Sequence, residues 1–172
     1  MRIAALHVFC RRLGFLAGCL LLLLLSACNS SKVPVFYLSF HPIPASVEIM
    51  GRAPYINVTS ADGEDSKVIG KYPLFDSARI IKAEVVPDAA TGKCGLKLYL
   101  DRHGVAAWHE LTVYHRAEPM AAVMDGFYLG IATFTSRADE PGILTTNPLW
   151  TEYEAQKIVE HVESNYELGG KE

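Results

Sequence analysis

Two runs decide the fold: Ile81-Lys82-Ala83-Glu84-Val85-Val86, and Cys94-Gly95-Leu96-Lys97-Leu98-Tyr99-Leu100-Asp101. In the first, Ile81, Ala83 and Val85 alternate with Lys82, Glu84 and Val86. In the second, Cys94, Leu96, Leu98 and Leu100 alternate with Gly95, Lys97, Tyr99 and Asp101. A period of two places successive side chains on opposite faces, so each run reads as a strand with one buried face. The intervening Pro87–Gly92 loop makes them a hairpin.

Working toward the C-terminus, Val105, Trp108 and Leu111 fall at helical spacing within about Gly104–His115. Met120–Met124 and Phe127–Phe134 read as strands flanking Asp125-Gly126. Asp-Gly between apolar runs signals a type I′ hairpin, because both turn positions need positive φ. Thr151 and Glu154 form a capping box that opens a final helix. Its apolar stripe is Ala155, Ile158, Val159, Val162 and Tyr166, and Gly169-Gly170 ends it.

Toward the N-terminus the pattern is less regular. Val47 with Ile49, and Ile56 with Val58, alternate on either side of a Gly51–Pro54 turn, and Lys67–Lys71 reads as a further strand. Val33–Phe40 is apolar, and His41-Pro42-Ile43-Pro44 breaks it. Such a stretch is either an edge strand or an extended arm lying on the domain. Phe36, Tyr37 and Phe40 either lie at lipid headgroups or pack on the domain, and packing is favoured. Phe127, Tyr128 and Phe134 exceed what one buried face needs, which leaves a binding patch as one option and a doubly covered sheet as the other. The expected fold class is α+β: a mainly antiparallel sheet with two helices packed on one face, behind a lipidated N-terminal tether.

The first residues have a different character. Arg2, Arg11 and Arg12 precede the apolar run Phe15–Leu25, which is too short to span a bilayer comfortably, and the small Ser26-Ala27 follow it. This is the arrangement of a secretory signal peptide. The tetrapeptide Leu25-Ser26-Ala27-Cys28 resembles the lipobox of bacterial lipoproteins. That resemblance implies cleavage between Ala27 and Cys28 and a diacylglyceryl group on the Cys28 sulfur, hence attachment to a membrane through lipid. An ordinary signal peptide cut after Ala27 is the alternative. Asn29, rather than Asp, implies the periplasmic face of the outer membrane if the cell is Gram-negative. Arg11-Arg12 fits a twin-arginine signal poorly, so the general export route is expected.

Removing Arg2, Arg11 and Arg12 from the 16 Lys+Arg leaves 13 against 19 Asp+Glu, a net charge of −6. A surface of that sign does not displace counterions from phosphates, which excludes a nucleic-acid binder. Cys10 and Cys19 leave with the signal, so a mature chain keeps Cys94 beside the modified Cys28 and has no pair for an intramolecular disulfide. Cys94 is expected to be buried.

No stretch assembles a recognisable catalytic or metal centre. His109-Glu110 and His115 are six residues apart where HExxH needs four, and His103 is again six from His109. Asp62-Gly63-Glu64-Asp65 lacks the alternating ligands of a calcium loop and reads as a solvated turn. Asp125 is accounted for by its turn. No cofactor, metal ligand or catalytic residue is expected.

From about Tyr72 to Leu168 the order of elements resembles the head subdomain of the first periplasmic domain of SecD, an accessory subunit of the bacterial protein-export channel. The residues carrying the likeness are Asp76–Ala83, Leu96–Leu100 with Asp101 and Gly104, Thr112, Ala122-Val123-Met124-Asp125-Gly126 and Glu154-Ala155. Thr145-Thr146-Asn147-Pro148-Leu149 stands where that family has a glycine-bearing loop, and SecD's transmembrane helices have no counterpart. The resemblance therefore implies a fold and a protein-contacting surface, without energy transduction. The expected organisation is a lipoprotein signal over residues 1–27, anchor and tether over 28–45, a strand-rich segment over 46–71, the SecD-head-like domain over 72–168, and a tail over 169–172. The expected function is a non-enzymatic envelope lipoprotein that binds another envelope protein or a peptide. The alternatives are a scaffold within an envelope complex, and an enzyme with a dispersed site.

Overall fold

The computed structural model describes residues 33–44, 54–114 and 118–169. Cys28, Ala27, the leader, the Val47/Ile49 run and His115 lie outside the described residues. The strands, in chain order, are β1 (Leu38–Pro42), β2 (Tyr55–Thr59), β3 (Ser66–Gly70), β4 (Phe75–Asp76), β5 (Ile80–Asp88), β6 (Lys93–Leu100), β7 (Met120–Met124), β8 (Phe127–Ala132), β9 (Phe134–Arg137) and β10 (Glu140–Thr146). The helices are α1 (Arg102–Tyr114) and α2 (Glu152–Gly169), and a 3-10 turn spans Ser77–Arg79. The class is α+β with antiparallel pairing.

The strands do not join into the single sheet expected. Among the described residues they form one sheet ordered β4-β1-β7-β8, a second ordered β5-β6-β10-β9, and a separate β2-β3 ribbon. The chain crosses from the first sheet to the second at Thr133, which divides the expected Phe127–Phe134 strand. Asn147 fixes the break. Its Oδ1 accepts from Thr133 N at 2.8 Å, its N donates to Thr133 O at 3.0 Å, and its Nδ2 donates to Ile131 O at 3.1 Å. One residue, through its side chain and its backbone amide, thus takes up the polar groups at the break.

Both sheets and both helices share one core. Leu38, Phe40 and Ala122 come from the first sheet, and Leu96, Leu98 and Leu144 from the second. Trp108 and Leu111 come from α1, and Ala155, Ile158 and Val162 from α2. Four aromatic rings join the layers: Phe40 and Phe75 lie 4.7 Å apart, Phe40 and Phe134 5.0 Å, and Trp108 and Phe134 5.5 Å. The far side of the β4-β1-β7-β8 sheet has its own cover, where Val58 and Ile69 of the ribbon pack on Ala121 and Val123.

β1 is neither an edge strand nor an arm. It pairs β4 through Phe40↔Phe75 and β7 through Leu38↔Met124 to Pro42↔Met120. Its two polar residues face the ribbon, and there they find partners. The inward side of β5 also differs from the expected set. A bulge between Ile80 and Lys82 turns Ile80 into the core and leaves Ile81 exposed. In β6 the expected face holds: Cys94, Leu96, Leu98 and Leu100 are all buried. Gly95, on the opposite side, admits the return of the chain, since a Cβ there would lie 2.7 Å from Thr146 O.

The chain entering β1 is held by side chains. Asp125 and Gly126 have φ of 51° and 89°, as the hairpin requires. The Asp125 carboxylate also accepts from Phe36 N and Tyr37 N, both at 2.9 Å. Ser77 Oγ accepts from Leu38 N at 2.8 Å, and Asn165 Nδ2 donates to Val35 O at 2.9 Å. Asp125→Gly keeps the positive φ and removes only the carboxylate, so it is expected to cost about 1–2 kcal/mol, read from the urea midpoint. Phe40→Ala, which removes the fully buried ring packed on Phe75 and Phe134, is expected to cost about 3–5 kcal/mol in the same measurement.

Candidate binding surface

The outer face of the β5-β6-β10-β9 sheet carries Lys82, Glu84 and Val86 from β5, Lys97 and Tyr99 from β6, Ile143 and Thr145 from β10, and Thr135 and Arg137 from β9. The strand period that sends Leu96, Leu98 and Leu144 inward sends these side chains outward. One half of the face is an ordered polar network. Lys82 Nζ lies 2.6 Å from Glu84 Oε1, and Tyr99 Oη donates to Glu84 Oε2 at 2.9 Å. Hydrogen bonds from Lys82 and Tyr99 hold the Glu84 carboxyl below its ordinary pKa. The ammonium groups of Lys82 and Lys97 sit 4.9 and 5.3 Å from the Tyr99 ring centroid, in cation–π range.

The other half is a cleft of about 410 Å³ lined by Val86, Lys97, Thr135, Ser136, Arg137, Glu140, Ile143 and Thr145. Val86 and Ile143 supply apolar surface, the Thr and Ser hydroxyls hydrogen-bond either way, and Lys97, Arg137 and Glu140 supply charge of both signs. A β bulge between Glu140 and Leu144 bends β10 at its rim.

The edges beside this face differ in access. The bulge near Ile81, the missing N–H of Pro87 and the Lys82/Glu84 pair blunt the edge of β5 against strand addition. β9 is short, and its Thr135, Ser136 and Arg137 are exposed.

The residues singled out from sequence fall elsewhere. His103 and His109 are exposed on α1. No group of three or more His, Cys, Asp or Glu that could hold a metal occurs among the described residues. The Asp62–Asp65 turn is closed on itself: Asp62 accepts from Glu64 N, and Ser60 Oγ accepts from Asp65 N. Cys94 is buried, and Cys94 N donates to Trp150 O at 2.8 Å. Phe36 packs 5.4 Å from the His161 ring and Phe40 is in the core, so two of the three N-terminal aromatics pack on the domain. Tyr37 is half-buried, and burial together with the Asp76 carboxylate raises its phenol pKa. Phe134 belongs to the aromatic cluster, whereas Phe127 is exposed.

One pair was invisible in the sequence. His41 is 6% exposed, under the β2-β3 ribbon. Its Nδ1 lies 2.8 Å from Gly70 O, which can only accept, so Nδ1 carries the proton. Nε2, at 2.9 Å, then accepts from Ser39 Oγ. A neutral imidazole completes this tie, and its burial lowers its pKa. No signal short of the fold could show that His41 faces the ribbon.

No family model matches the chain, and no curated protein matches it. Solved structures do. One describes a membrane component, SecDF, that enhances protein export. It matches with a TM-score of 0.51 and 18% identity over 76% of this chain and 63% of that one. A second, SecDF in a super-membrane-facing form, matches with a TM-score of 0.49 and 18% identity over 74% of this chain and 18% of that one. The fold is therefore SecD-like, and this chain spans less than two thirds of either relative.

Because His41 has a lowered pKa when folded, the unfolded chain takes up its proton first as the pH falls. Stability from this group is complete above about pH 6.5 and is lost as the pH drops through the lower, folded value. Urea midpoints at pH 8 and pH 5.5 are expected to differ less in His41→Phe than in the parent protein.

Proposed function

We propose that this protein is a lipid-anchored component of a bacterial envelope, attached through Cys28, whose SecD-like domain binds another protein without catalysing a reaction. The observation that carries the reading is the contrast between the sheets. The β2-β3 ribbon roofs one outer face, while among the described residues the other has no cover and holds the cleft of Val86, Lys97, Ile143 and Arg137. The partner is an extended segment that places apolar side chains on Val86 and Ile143 and polar groups against Lys97, Arg137 and Glu140. The fold match, to a component that enhances protein export, is in keeping with a polypeptide ligand.

Several groups suited to chemistry are engaged in structural ties. Asp125 holds the entering chain, Glu84 is bound by Lys82 and Tyr99, and His41 with Ser39 lies beneath the ribbon. The anchor rests on Leu25-Ser26-Ala27-Cys28 and the apolar run before it. Among the described residues no helix is long and apolar enough to cross a membrane. Two or more acyl chains hold a protein at a bilayer stably. With Asn29 after the cysteine, the site proposed in a Gram-negative cell is the inner leaflet of the outer membrane.

Two measurements test the reading. Intact-mass spectrometry is expected to find a chain beginning at Cys28 and carrying a diacylglyceryl group, and an unmodified thiol there would refute the anchor. A photo-crosslinking residue at Thr145 in intact envelopes is expected to give discrete protein adducts, and one at exposed Glu163 on α2 is not. Ile143→Asp is expected to weaken adduct formation tenfold or more, equivalent to about 1.4 kcal/mol. Adducts indifferent to Ile143→Asp would overturn the assignment of the face.

A further inference from the structure

We propose that the end of the domain carrying Val35, Phe127 and Leu168 seats directly against the lipid bilayer, giving the protein a second membrane contact and a fixed orientation. This rests on the anchor at Cys28 proposed above.

The three residues sit where the chain leaves the domain. Leu38, Met124 and Phe127 form the terminal row of the β4-β1-β7-β8 sheet. Beyond that row the Asp125 carboxylate holds Phe36 N and Tyr37 N, and Asn165 holds Val35 O. Leu168 follows Asn165 by three residues, on the same side of α2. Strap, hairpin tip and helix thus converge at one end. There Val35 is 44% exposed, Phe127 50% and Leu168 39%. An aromatic ring beside a tight turn, with exposed aliphatic side chains on the strap and the helix bound to it, is the composition that enters the headgroup boundary.

Chain length selects the occupant. Six residues separate Cys28 from Val35, and the seven steps between them span at most about 25 Å fully extended. The clamps on residues 35–38 prevent further chain from being paid out of the domain. An acylated Cys28 therefore keeps this end near the membrane, and Val35, Phe127 and Leu168 are exposed on the elements tied together there. The exposed Glu163 and Glu167 on the nearby turns of α2 oppose an anionic surface. The contact is accordingly with neutral lipid and insensitive to salt.

The test uses the full acylated protein in vesicles of phosphatidylcholine with brominated acyl chains. Phe127→Trp is compared with Tyr72→Trp. Tyr72 is 67% exposed at the opposite, Pro42 end of β1, where Leu74 N donates to Phe40 O. Trp108 and Trp150 are buried, and the parent protein supplies their background. The expected result is a blue shift and a loss of emission in Phe127→Trp, unchanged by added salt, with none in Tyr72→Trp. Absence of quenching in Phe127→Trp, in protein whose mass shows the diacylglyceryl group, overturns the seat and leaves the anchor standing. Equal quenching of both variants overturns the preferred end. Protein without the lipid overturns the anchor, and this inference with it.

Discussion

The insertion of β1 between β4 and β7 is the constraint on which the rest of the structure depends. Five residues, Leu38–Pro42, supply Leu38 and Phe40 to the main core from one face, and Ser39 and His41 to the ribbon from the other. Without them β4, two residues long, would have no partner among the described strands, and Phe75 and Phe134 would lose the ring both pack against. An interior strand is paired on both sides, so its polar backbone is satisfied without water. Side chains complete the arrangement at its entrance, where Asp125, Ser77 and Asn165 take the groups that the ladder does not reach.

The two sheets then divide the work. One is buried on both faces, by the common core and by Val58 and Ile69 of the ribbon. The other packs α1 and α2 against its inner side and presents charges, hydroxyls and two apolar side chains outward. That asymmetry leaves one broad sheet face without a cover among the described residues. The polar network around Tyr99 ties together the side chains of one half of this face.

Local signals in the sequence translated well. The alternation in Cys94–Leu100, the Asp125-Gly126 turn and the Thr151/Glu154 box depend on neighbours within a few residues. The structure shows all three, the box through Thr151 N to Glu154 Oε2 at 2.8 Å. What failed was set by distant residues. A bulge opposite β6 exchanged Ile80 for Ile81, Asn147 cut one expected strand in two, and β4 and β7 drew an apparent arm into a sheet interior. The cleft was equally hidden, because its walls come from four strands whose order the chain does not announce. The His41–Ser39 tie shows the same limit: two residues apart on one strand, they become a buried pair only when Gly70 arrives from the ribbon.

The same strand imposes a timetable. The carboxylate that receives Phe36 N is 89 residues downstream, and the amide that reaches Val35 O is 130 downstream. A chain emerging from its N-terminus has only the two residues of β4 to pair with Leu38–Pro42 until β7 exists, and the last clamp waits for α2. Closure over such separations is slow, and an apolar strand left waiting is a hazard for self-association. Assembly of this domain is therefore governed by its final third, and early truncations would leave its first strand without a place.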